Sequence, residues 1–137
     1  MTQFSIYTDG GARGNPGPAA LGVVVMDGTG QVVKEFIRYL GEATNNQAEY
    51  KALIAGLEQV SKLAHPSQVS LRAFLDSELV VKQMNGEYRV KDEHLKPLFA
   101  KAQKLSSTFK QVVFIHIRRE RNAHADSLVN RALDARK

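Results

Sequence analysis

Cysteine and tryptophan are both absent from the 137 residues. Without cysteine there is no disulfide scaffold, no thiolate metal site and no cysteine nucleophile, a composition that suits a reducing compartment. No apolar run approaches the roughly 18 residues of a membrane span. The N-terminal stretch MTQFSIYTDG lacks the basic residues and apolar core of a signal peptide. No linker, repeat or low-complexity segment interrupts the chain. A soluble, cytoplasmic protein with no membrane association and no obligatory protein partner is expected. What is present is ordinary for a globular chain: 43% hydrophobic and 24% charged residues. Residues 1–137 are the size of one domain, and a chain this long buries roughly 70% of its unfolded surface.

Charge is unevenly spread. Residues 1–68 carry 5 Lys and Arg against 6 Asp and Glu, a net of −1. Residues 69–137 carry 14 against 8, a net of +6, which together make the chain's +5. A basic half of this kind points to an anionic partner, nucleic acid being the usual one, although many small soluble proteins are basic without it.

The first strand reads QFSIYTD and ends in the glycine-rich turn GGARGNPGP. AALGVVVM and QVVKEFIRYL, separated by DGTG, read as an antiparallel hairpin. NNQAEYKALIAGLEQVSKLA is helical, with Thr44 and Gln47 in capping-box spacing. VSLRAFL is a strand, SELVVKQMNG a short helix stopping at Gly86, and EHLKPLFAKAQKLSS a helix in which Pro97 fits only near the first turn. QVVFIHI is a last strand and AHADSLVNRALDARK a last helix. The pattern predicts an α/β domain with a mixed sheet.

Four of the 14 acidic residues stand where a solvated face does not explain them. Asp9 and Asp76 each close a strand. Glu49 continues the apolar stripe Leu53, Leu57, Val60, Ala64 one turn toward the helix N-terminus, and Asp126 shares a face with Val129 and Leu133. Singly, each has a structural reading: Asp76 or Ser77 would cap a helix, and acidic residues in a first turn complement the helix dipole. Together, two strand ends and two helix starts converge on the carboxyl edge of the sheet, where ligands usually bind. Clustered carboxylates repel one another unless a cation intervenes, and an all-oxygen set favours Mg²⁺ or Mn²⁺.

YTDGGARGNPGP, TNNQAEYKALIAGLE, FLDSELVVKQ and RERNAHADSLVNRAL, in that order from Gln3 to about Ala135, resemble the type 1 ribonucleases H. The resemblance implies a ribonuclease H-like fold: a five-stranded mixed sheet, three antiparallel strands then two parallel, flanked by helices. It implies an endonuclease that cuts the RNA strand of an RNA/DNA hybrid by a two-metal-ion mechanism, leaving 5′-phosphate and 3′-hydroxyl ends. The metal ligands carried over are Asp9, Glu49, Asp76 and Asp126, holding two Mg²⁺ ions. Sensing of the RNA 2′-hydroxyl would fall to the backbone of Gly10, Gly11 and Ala12 and to Asn45 and Asn46, with Glu78 where relatives often have glutamine. Asn15 and Thr44 match residues that hold a DNA-strand phosphate, with Arg13 close by, and Asn122 matches a substrate contact on the scissile side. Relatives often carry a mobile histidine before the last helix. Here Arg119, seven residues before Asp126, is the expected stand-in, with His124 the better placed of the four histidines.

Many bacterial relatives insert a basic handle before the helix that here contains Pro97. The interval NGEYRVKDEHLK is short and of zero net charge, so a handle-less form is expected. Because the chain starts just before its first strand and stops just after its last helix, a free-standing enzyme is expected too. The alternatives are another nuclease of the same fold, such as a resolvase or integrase, a non-catalytic hybrid-binding module, or the ribonuclease portion of a larger polymerase. A resolvase or integrase lacks GNPGP and TNNQAE as written here. A binding module has no use for four bare acids facing an anion.

Overall fold

The computed structural model describes residues 2–136. β1 (Thr2–Ala12), β2 (Gly17–Asp27) and β3 (Val32–Ala43) form an antiparallel meander, in which β2 is a continuous apolar run buried on both faces from Ala19 to Val25. Helix α1 (Asn45–Leu63) leads to a single 3₁₀ turn at Pro66–Gln68 and then to β4 (Val69–Leu75). Helices α2 (Glu78–Met84) and α3 (Lys96–Ser106) precede β5 (Gln111–His116). A 3₁₀ turn at Arg119–Asn122 opens into α4 (Ala123–Ala135). The strand order is β3-β2-β1-β4-β5, with β1–β4 and β4–β5 parallel. The expected last helix ran on to Lys137, which lies outside the described residues. Residues 85–95 contain neither helix nor strand, so no handle helix separates α2 from α3.

The first strand is longer than its local sequence predicts. Gly10, Gly11 and Ala12 belong to β1, opposite Leu21, Ala20 and Ala19, and the turn shrinks to the residues around Arg13–Pro16. Pairing with β2 overrides the turn preference of two glycines, which extended backbone also accommodates. The parallel ladder of β1 with β4 stops earlier, at Thr8 opposite Leu75. Beyond that rung the two strands part, and a cleft opens between them.

The sheet carries helices on both faces. Ile6, Leu21, Val23, Val25, Leu71, Ala73 and Leu75 pack with Leu53, Leu57 and Val60 of α1 in the main core. On the opposite face, α4 lays Ala125, Leu128, Val129 and Leu133 against Ala20 and Val24. The parallel half of that face is not covered by α4. There Tyr7 and Phe74 stack at 4.7 Å, above a hollow of about 850 Å³ bounded by the 27–30 turn, Arg72 and Lys110. Its one acid, Asp27, is consumed by its own turn, accepting from the Thr29 N–H and hydroxyl and the Gln31 N–H. The hollow offers no acid–base constellation.

Candidate active site

Two glycines let the helices reach the end of the ladder. A Cβ on Gly10 would lie 2.2 Å from the Ala48 carbonyl of α1, and one on Gly22 would lie 2.6 Å from the Ala125 carbonyl of α4. Both neighbours are backbone and cannot step aside. Gly10 follows Asp9, and Gly22 is the residue opposite Asp9 on β2. Asp9 therefore sits where α1 and α4 both touch the sheet. That contact brings in Glu49 from the first turns of α1 and Asp126 from the first turn of α4.

The caps leave the acids free. Thr44 accepts from the Gln47 N–H and Gln47 returns the bond to the Thr44 N–H, so the α1 terminus needs no carboxylate. Ser77, not Asp76, caps α2 through the Val80 N–H. Asp76 is thus released into the cleft. Oxygens of Asp9, Glu49 and Asp76 lie within 4.8 Å of one another, and Asp126 stands outside that trio but lines the same cleft, near enough for its charge to act on Asp9. All four line one cleft of about 380 Å³, with Gly10, Gly11, Ala12, Arg13, Asn45, Asn46 and Arg119.

Burial sets the electrostatics. It pushes Asp9 up from 3.8 to about 7, assisted by the charges of Asp76 and Asp126 and opposed by its contact with Glu49. Glu49 is raised well above the usual carboxylate range by burial and by Asp9. Asp76 is raised by burial as well, although the Asn122 amide and the Arg119 charge pull the other way. Glu49 Oε1 accepts the Gly10 N–H at 2.7 Å, whereas Oε2 is buried without a hydrogen-bond partner. An anionic oxygen in such a place calls for a proton or a cation. The donor set is all oxygen and suits a hard divalent ion.

The remaining site residues divide. Asn45 accepts the Ala12 N–H at 2.9 Å and donates its own backbone N–H to Asn15 Oδ1 at 3.0 Å, which ties the β1–β2 turn to α1. Asn15, Thr44, Glu78 and Asn122 are outside the cleft lining. Glu78 points outward toward Lys82 and His116, at 3.9 and 4.0 Å. Asn122 is buried, and its amide donates to the Thr8 carbonyl at 2.9 Å and to Asp76 at 3.3 Å. It holds Asp76 from behind. His124 turns away from the carboxylates to pair with Glu35 of β3. Sequence reading passed over Asn130, which lines the cleft and donates to Asp126 at 3.4 Å. Its position four residues after Asp126, one helical turn on, is the signal that could have found it.

Carboxylates gathered at the carboxyl ends of the two central strands of a mixed five-stranded sheet define the ribonuclease H class of fold. Residues 7–132 match the family described as reverse transcriptase-like. The N-terminal RNase H domain of Rv2228c from Mycobacterium tuberculosis superposes with a TM-score of 0.93, at 43% identity over 98% of this chain and 96% of that one. LC11-RNase H1, in a structure with an RNA/DNA hybrid, gives 0.91 at 48% identity over 96% of each chain. Ribonuclease HI of Halobacterium salinarum is 44% identical over 128 residues. The chain belongs to the reverse transcriptase-like family and, within it, to the type 1 ribonucleases H. It spans about a third of the length of Rv2228c (35%) and 63% of the halobacterial protein. Among the described residues no helix is long and apolar enough to cross a membrane.

Proposed function

We propose that residues 1–137 form one ribonuclease H domain that hydrolyses the RNA strand of RNA/DNA hybrids, using two Mg²⁺ ions held by Asp9, Glu49, Asp76 and Asp126. The observation that carries this is the buried carboxylate cluster, with one Glu49 oxygen left without a donor. Support for the substrate comes from the relatives, one of which is seen with a hybrid.

A phosphodiester is a stable anion, and four acids facing it would repel it. When bound, the metal ions supply the Lewis acidity that activates water and offset the charge that builds on phosphorus. The chain's own residues hold and aim. Asp9, which stands next to Glu49, Asp76 and Asp126, would supply ligand oxygen at the centre of the cluster. Glu49 is fixed by the Gly10 N–H, and Asp76 by the Asn122 amide. Arg119, which lines the same cleft, is long and permanently charged and can meet the scissile phosphate or help the product leave.

Recognition of the RNA strand would use the floor of the cleft. The N–H groups of Gly10 and Ala12 are engaged by Glu49 and Asn45, so the backbone of Gly10, Gly11 and Ala12 would meet a 2′-hydroxyl through carbonyl oxygens rather than those two N–H groups, with Asn46 beside them in the cleft. Asn15 and Thr44 lie beside this floor, where a phosphate of the DNA strand would pass. The test is end analysis of a hybrid labelled separately on each strand. The reading requires RNA fragments with 5′-phosphate and 3′-hydroxyl ends and an intact DNA strand. Cut DNA, or RNA ends of the opposite kind, would refute it.

A further inference from the structure

Arg13, close to the residues expected to hold a DNA-strand phosphate, is paired with a carboxylate. Its guanidinium lies 2.8 Å from Asp134 and 3.5 Å from Asn130 Oδ1, both on the face of α4 that continues from Asp126. Asp126, Asn130 and Asp134 are spaced by four residues and form one row leading away from the metal cluster. Guanidinium recognises carboxylate and phosphate by the same paired N–H donors. Both side chains are open to solvent, 44% and 68% exposed, so the pair is screened and a phosphate has access to it. Asp134 also stands in the last turn of α4, where a negative charge opposes the helix dipole and no basic residue of that turn offsets it. Helix stability does not account for an acid there.

We infer that Asp134 is a built-in competitor for the hybrid: it holds Arg13 along α4 in the free protein and yields it to a backbone phosphate on binding. The inference rests on the hybrid-cleaving reading above. A surface pair of ordinary strength occupies its partner part of the time, and removing it should tighten binding by about two- to six-fold.

The test measures hybrid affinity by fluorescence anisotropy in an Asp9→Asn background, so that the duplex survives. Asp134→Ala should bind more tightly, Arg13→Ala more weakly by about threefold or more, and the double variant no better than Arg13→Ala alone. A gain from Asp134→Ala that persists without Arg13 would reduce the effect to loss of a repelling charge and overturn the inference. So would an Asp134→Ala protein of unchanged affinity alongside a weakened Arg13→Ala, an outcome that leaves the hybrid reading standing. Failure of the parent protein to bind hybrid at all would instead strike at that reading.

Discussion

Asp9 and Asp76 each stand one residue past Thr8 and Leu75, the last pair of the parallel ladder between β1 and β4. Neither acid has a partner across the β1–β4 ladder, although Asp9 still faces Gly22 of β2, and both stand at the gap that the parting strands leave. Glu49 and Asp126 reach the same gap from opposite faces of the sheet. Four acidic groups share a partly buried space, where burial and their mutual proximity make it costly to charge them all.

The burial of Asp9 among other acids has a pH signature. A carboxyl raised from 3.8 to about 7 binds its proton more tightly in the folded state than in the unfolded one. Its contribution to stability is therefore full below about pH 4 and is lost as pH rises through about 7. Asp9→Asn keeps the shape and removes the titration. In EDTA the variant should match the parent near pH 4 and exceed it at pH 8, by on the order of a few kcal/mol. With Mg²⁺ the gap should close or reverse. Thermal melts across pH with and without metal measure this, and a variant less stable than the parent at pH 8 in EDTA would contradict the cluster's electrostatics.

Gly22 gives a packing prediction. Its missing side chain admits the Ala125 carbonyl and Leu128 of α4, so Gly22→Ala must push α4 outward and draw Asp126 away from Asp9. A loss of about 1–3 kcal/mol is expected, with cleavage falling further than hybrid affinity. At Gly11 a Cβ would meet only Val129 at 3.8 Å, an ordinary contact, so Gly11→Ala should melt close to the parent. Equal melting temperatures for both variants would show that α4 has slack.

Asn122 and Arg119 separate support from chemistry. Asn122→Ala leaves the Thr8 carbonyl without its buried donor and Asp76 without its brace, at a cost of about 1–3 kcal/mol. Metal affinity, read by calorimetry, should fall with it. Arg119→Ala should leave the melt unchanged and lower turnover more than binding, whereas Arg121→Ala should mainly weaken binding. Small and equal effects on turnover and binding at Arg119 and Arg121 would make that segment only a basic surface.

Residues 85–95 replace a handle with turns. Arg89 and Lys91 stand among Glu87, Asp92 and Glu93, and the stretch has little net field. Neutralising Arg89 and Lys91 together should change the hybrid dissociation constant only a few-fold. A loss of tenfold, about 1.4 kcal/mol, would show that this segment carries the DNA strand after all.

The four acids were legible because each breaks a pattern: Glu49 and Asp126 stand on the apolar faces of α1 and α4, and Asp9 and Asp76 end apolar alternations. Their convergence followed from the α/β order. Three features were not legible. The extra length of β1 depends on pairing with Ala19–Leu21, which local turn preference at Gly10 and Gly11 obscures. The inward turn of Asn122 depends on Thr8, more than a hundred residues earlier. The hold of Asp134 on Arg13 joins the β1–β2 turn to the end of the last helix, a contact between exposed side chains that no periodicity encodes.

The central claim is a metal-dependent cut confined to RNA paired with DNA. The direct measurement offers one base sequence as RNA/DNA hybrid, double-stranded RNA and double-stranded DNA, each with Mg²⁺ and with EDTA, to the parent and to Asp9→Asn. The account predicts cleavage by the parent of the hybrid alone, only with Mg²⁺, and none by Asp9→Asn. Cleavage of either pure duplex at a comparable rate, or near-normal turnover by Asp9→Asn, would contradict it.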